Sequence, residues 1–250
     1  MGSGNKGGCS GGKSARQLAG CEQLGGSAAL YRLLAWLSPA FPVGAFSYSS
    51  GLEWAVEAGD VKDMESLQGW ITTIVGEGGG FCDAVFFVHA YRALDEGKYH
   101  LLHDVCALAA AFAPSKERHL ETTALGRAFV ATAAAAWPCP ALDRLLALWS
   151  GPIAYPVAVA VISAGHGIAL EPALLAFLHA ITANLVSAGV RLVPLGQTDG
   201  QRLIAALEAV VSDTAMRASA TRLDDVGGAA FRADLASMRH EVQYTRLFRS

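Results

Sequence analysis

Two groups of residues in the 250-residue chain have types and spacing that could do chemistry. "GGCSGGKS", Gly7 to Ser14, satisfies G-x-x-x-x-G-K-[ST], the pattern of a loop that cradles nucleotide phosphates. His100, His103 and Cys106 fall at i, i+3 and i+6 of one stretch, and imidazole with thiolate suits a soft metal. Each group meets a physical objection. A phosphate loop needs a buried strand before it and a helix starting at its Lys-Ser end. Here "MGSGNK" precedes it and the glycine-broken "ARQLAGCEQLGG" follows, so the match reads as a coincidence in a flexible Gly/Ser tail. The two histidines share a helix face, but Cys106 is rotated further round, and no second cluster completes a ligand shell. Solvent-facing histidines on an amphipathic helix are the expectation. The chain contains no G-x-S-x-G, H-E-x-x-H or EF-hand pattern. Sequence alone therefore points to a binding or assembly protein with no catalytic residue, no cofactor and no metal site.

Composition agrees. Hydrophobic residues make up 52% and charged ones 16%, so much of the surface must be buried in a core or against a partner. A formal net charge of −3 argues against nucleic-acid binding. Five widely spaced cysteines without C-x-x-C suit reduced thiols in the cytoplasm better than a disulfide framework. No formal charge falls between Arg144 and Glu171, or between Glu171 and Arg191. These runs raise an alternative, a membrane hairpin at about 145–190. Against it stand Gly151, Pro152, Pro156, Gly165, His166 and Gly167 in the first run and His179 and Asn184 in the second. Buried helices of an all-α domain account for both runs without a membrane.

The elements that must position any site read as helices. Residues 1–28 form the tail, and from residue 29 a 3.6-residue period dominates. "ALYRLLAWL" is a helix stopped by Pro39, and "SYSSGLEWAVEAG" is a second ending at Gly59. Met64, Leu67, Ile71 and Ile74 form one stripe, with Asp63 as N-cap. Further helices begin near Phe81, Lys98, Ser115, Ala141, Pro156 and Pro172. Thr198 and Gln201 are spaced as a capping box, and a last helix runs from about Gly227 toward Tyr244. The expected fold is all-α, a single domain of about ten helices over residues 29–250.

Two stretches break the helical pattern. In "SPAFPVGAFSYSSGLE", Ser38 to Glu53, two prolines keep the backbone extended and Gly44 permits a turn, so Phe41, Phe46 and Tyr48 sit on a loop. In "SMRHEVQYTRLFRS", Ser237 to Ser250, a chain end that would ordinarily turn polar keeps Tyr244, Leu247 and Phe248 among Arg239, Arg246 and Arg249. Arg and Tyr dominate binding hot spots. Both stretches are candidate partner surfaces. The second is expected to be short of core contacts and mobile until bound.

Those two stretches and "PLGQTDGQ", Pro194 to Gln201, resemble the UreF family of urease accessory proteins across roughly residues 29–250. The resemblance implies an all-α, dimeric, non-enzymatic protein. It also implies partners: the accessory protein UreD (UreH in some organisms), the GTPase UreG, and apo-urease, to which the assembly delivers nickel. Carried over, the partner-binding residues are Phe41, Pro42, Gly44, Tyr48 and Glu53 in the loop, and Gln197 in the second motif. In the terminal motif they are Arg239, His240, Glu241, Tyr244, Arg246, Phe248 and Arg249. Ser50 stands where family members often have His or Gln, so any contact made there is missing from this chain.

Overall fold

The computed structural model describes residues 1–2 and 25–249, and among them every regular element is helical. Gly7–Ser14 lies outside the described residues. The first helix, α1, spans Gly26–Trp36, so helical order begins within the stretch read as tail. After the loop come α2 (Leu52–Glu57), α3 (Met64–Glu77), α4 (Gly79–Asp95), α5 (Tyr99–Ala111) and α6 (Lys116–Ala136). Then follow α7 (Pro140–Leu148), α8 (Tyr155–Gly165), α9 (Leu170–Leu192), α10 (Gln197–Ala206), α11 (Glu208–Ala220) and α12 (Phe231–His240).

Several boundaries follow from single residues. Asp63 caps α3 by accepting the Ser66 amide at 2.9 Å, and Ser115 caps α6 by accepting the Arg118 amide at 3.1 Å. Pro140 and Pro156 occupy first-turn positions, where a missing N–H removes no helical bond. Two expectations change. The α10 start lies at Gly196, whose N–H reaches the Asp199 carboxylate at 3.2 Å, so Thr198 and Gln201 sit inside the helix rather than boxing its end. The second helix begins at Leu52, because Ser50 and Gly51 adopt positive φ and cannot extend it backward.

The centre of the molecule is α8, apolar on every side and buried from Tyr155 to Ala164. It packs against α4 and α6, while α9 covers α4, α11 and α3. Phe87 meets Phe177, Tyr155 meets Phe129 and Phe177, and Phe129 meets Phe41, all with ring centroids within 6 Å. The α8 part of the first uncharged run is thus core, while Leu146, Ser150 and Pro152 before it are exposed. At eleven residues, α8 is about 17 Å long by the helix rise, short of a bilayer's hydrocarbon thickness. The second run is α9, long and apolar enough to cross a membrane by length and composition, yet half of that stretch is buried among its neighbours.

Candidate functional site

The loop and the terminal segment, far apart in sequence, meet in one place. The loop folds back through Gly44 (φ 79°) into a 3₁₀ turn at Ala45–Ser47. Phe41 points inward against Phe129 and Trp137, and Tyr48 is buried with its carbonyl accepting from Asn184 Nδ2 at 3.3 Å. Phe46 alone of the three aromatics faces out, 63% exposed. Its carbonyl accepts from Arg191 Nη2 at 3.0 Å. Ser50 at φ 54° and Gly51 at φ 79° then turn the chain into α2. Gly51 is required twice: its φ is left-handed, and a Cβ would lie 2.6 Å from the Ser237 nitrogen. That absence of a side chain lets α2 and α12 touch backbone to backbone.

The terminal segment, residues 241–249, lies over this junction and is held by charge. Glu53 on α2 is the anchor. Its carboxylate accepts from the Leu247 backbone N–H (2.6 Å) and the Phe248 backbone N–H (2.9 Å) and faces His240 Nε2 at 3.0 Å. Glu117 on α6 faces the other ring nitrogen, Nδ1, at 2.7 Å and accepts from Arg246 Nη1 at 2.9 Å. Glu57 accepts from the Gln243 amide, and Glu241 accepts from the Lys116 backbone N–H at 2.9 Å. Phe248 inserts beneath Arg191, whose guanidinium stands 4.4 Å above its ring. Beyond it the Arg249 N–H donates to the Ser47 carbonyl at 2.8 Å, tying the chain end to the loop. The expectation of a segment short of core contacts is therefore corrected: His240, Gln243 and Phe248 are all buried.

The candidate residues divide by exposure. Phe41, Tyr48, Glu53, His240 and Phe248 lie inside, where they position the loop and the segment. Pro42, Phe46, Arg239, Tyr244, Arg246, Leu247 and Arg249 face outward. On α12, Phe231, Leu235 and Met238 are exposed at helical spacing, and Val242 just beyond the helix extends that line. Arg232 and Arg239, next to these residues in sequence, are exposed as well. Gln197 is exposed in the first turn of α10, away from these elements.

Sequence reasoning missed Glu117, Arg191 and Asn184. Nothing in their local pattern marks them, because each makes a hydrogen bond across more than 120 positions of sequence, Arg191 to the Phe46 carbonyl. Ser115 and Ser237, whose hydroxyls meet at 2.7 Å, carried one usable signal: Ser115 opens a helix.

Below the junction lies a second charged group. Arg118 donates to Ser50 Oγ at 3.0 Å and pairs with Glu121 at 2.6 Å and with Asp83 at 3.8 Å. Burial pushes the Asp83 carboxyl up to about 6, opposed by Arg118 and reinforced by Glu121. Burial also raises Asp234 on α12, with Arg118 again opposing. Asp83, Arg118 and Thr122 line two cavities, of about 220 and about 290 Å³. Ser50 thus supplies one hydroxyl to the arginine.

The His100–Cys106 group does not converge. His100 and His103 are exposed, His103 stands edge-on to Trp149 at 5.2 Å, and Cys106 is buried with its thiol pushed up to about 12 by desolvation. Among the described residues no three His, Cys, Asp or Glu side chains are arranged to hold a metal ion.

Comparison with known proteins adds the following. The family profile named UreF matches residues 61–208. The chain is 60% identical over 224 residues to the urease accessory protein UreF of Bradyrhizobium diazoefficiens, covering 90% of this chain and 93% of that one. It is 62% identical over 222 residues to that of Bradyrhizobium sp. BTAi1, covering 89% and 92%. It is 61% identical over 223 residues to that of Rhodopseudomonas palustris HaA2, covering 89% and 94%.

Proposed function

The chain belongs to the urease accessory protein UreF family, and from that premise we propose that it is a non-enzymatic cytoplasmic scaffold. In this reading it acts as a homodimer that gathers UreD (or UreH) and the GTPase UreG on apo-urease, so that nickel reaches the urease active site as cargo. UreD docks on the exposed face of α12 and the terminal segment. UreG reads the composite surface where Arg249 lies beside the Phe46 loop. Nucleotide chemistry then belongs to UreG, and the Gly7–Ser14 match has no part in it.

One observation carries the proposal: Phe231, Leu235, Met238 and Val242, at helical spacing along α12 and just beyond it, are open to solvent, and so are Tyr244 and Leu247 in the segment and Arg232 and Arg239 beside the line in sequence. Monomeric proteins seldom expose a contiguous apolar patch of that kind without a partner, and an apolar centre with an arginine-bearing rim matches the anatomy of protein interfaces. The docked state of the terminal segment supports a second element of the reading. Ordering a free segment costs about 1–2 kcal/mol per residue in backbone entropy. Here Glu53, Glu117 and Phe248 offset that cost within the chain, so the partner meets a surface already shaped.

Arg249→Ala tests the proposal. Its backbone bond to Ser47 survives the substitution, so folding and UreD co-purification should match wild type. UreG capture by the UreD complex should fall at least about tenfold, the scale of a hot-spot arginine. Undiminished UreG capture would reject this assignment of the surface.

A further inference from the structure

His240 has no contact with solvent, and each of its ring nitrogens faces a different carboxylate. A neutral imidazole carries one N–H, so it can donate to only one of them. The other nitrogen would then point a lone pair at a carboxylate oxygen about 3 Å away, inside a buried site. An extra proton removes that conflict. It can reside on the ring or on one carboxylate, and the surroundings favour the ring. Glu53 already accepts two backbone N–H groups, and Glu117 already accepts the Arg246 guanidinium, contacts that stabilise the ionised carboxylates. With the ring doubly protonated, two carboxylates balance one imidazolium and one guanidinium.

We infer that His240 is a positioning residue, a doubly protonated clamp between Glu53 and Glu117 that holds the terminal segment against the loop, and that losing one proton lets the segment go. The charged groups that the contacts of this junction bring together are Glu53 and Glu57 on α2, Glu117 on α6, and Glu241 and Arg246 in the segment. His240 is the one imidazole among these groups. Raising the pH removes the ring proton and leaves a buried net negative charge where the Leu247 and Phe248 amides are held. Opening the segment relieves it, because both carboxylates and the amides then reach water. The junction would thus be a proton-controlled partner surface. This inference rests on the proposed function for its biological meaning but not for its physics.

The test uses the purified full chain without partners. Hydrogen exchange at the Leu247 and Phe248 amides is followed across roughly pH 6–9, above the ordinary imidazole value of about 6.5, with the intrinsic base-catalysed rate divided out. Wild type should lose at least about tenfold in protection as pH rises, while amides of α8 keep theirs. His240→Gln should abolish the pH dependence. A pH-independent protection in wild type overturns the inference, as does a pH dependence that persists in His240→Gln. Should that variant misfold, ¹⁵N resonances of the wild-type ring decide. Two protonated ring nitrogens in the docked state support the clamp, and one unprotonated nitrogen rejects it. Failure here with intact Arg249-dependent UreG capture would remove the clamp and leave the scaffold. The reverse pattern would remove the scaffold and leave the clamp.

Discussion

The central helix and the terminal segment of this molecule are held by opposite means. Helix α8 is buried through its apolar surface alone, with Tyr155 to Ala164 enclosed by α4, α6 and their aromatic partners. The terminal segment buries one large apolar side chain, Phe248, and otherwise depends on three carboxylates, Glu53, Glu57 and Glu117, that receive its donors. Apolar packing is non-directional and fails with the whole fold. Charge-assisted hydrogen bonds are directional, and they can break locally because water satisfies the same groups. The difference separates stability from presentation. The body fixes where α2, α6 and α12 lie, while the carboxylates fix whether the last nine described residues lie on them.

That contrast can be broken at either end. The largest expected effect belongs to the body. Phe129 is fully buried, with its ring tilted against Phe41 and edge-on to Tyr155. Phe129→Ala should cost about 3–5 kcal/mol of global stability, read by chemical denaturation. Glu53→Ala should act differently. It strands His240 and two amides, a loss of about 3–5 kcal/mol if the segment stayed in place. Undocking caps that loss, so the global transition should move by less than about 2 kcal/mol while exchange at Leu247 and Phe248 becomes unprotected. An equal loss in both variants would erase the distinction between body and segment. The smallest effect is expected at the exposed pair on α5. His100→Ala with His103→Ala should change stability by no more than about 0.5 kcal/mol per site, and calorimetric nickel affinity should match wild type. A clear loss of nickel affinity would restore the metal reading of that helix.

How much of this was legible in the sequence follows from the range of the forces involved. The helices were legible because period, caps and prolines act within a few residues, as Asp63, Ser115 and Pro156 show. So was the oddity of two aromatic-rich stretches that refuse the helical period. Their roles were not legible. Phe41, Phe46 and Tyr48 share one loop and one chemical type, yet two face the core and one faces water, a choice made by Phe129, Trp137 and Asn184 far away in sequence. Glu53 and His240 read equally well as partner contacts, since nothing near either shows that they meet each other 187 positions apart. That the segment docks without a partner was not legible for the same reason. Its own composition suggests a loose end, and the carboxylates that hold it belong to α2 and α6.

The central claim is that partners read the position of the terminal segment and not only its composition. Capture of UreG by the UreD complex of Glu53→Ala, measured beside Arg249→Ala, tests it most directly, because Glu53 is buried and cannot touch UreG itself. The account predicts that both variants fold, keep UreD and lose UreG to a similar degree. Wild-type capture by Glu53→Ala, with its segment shown by exchange to be undocked, would contradict it.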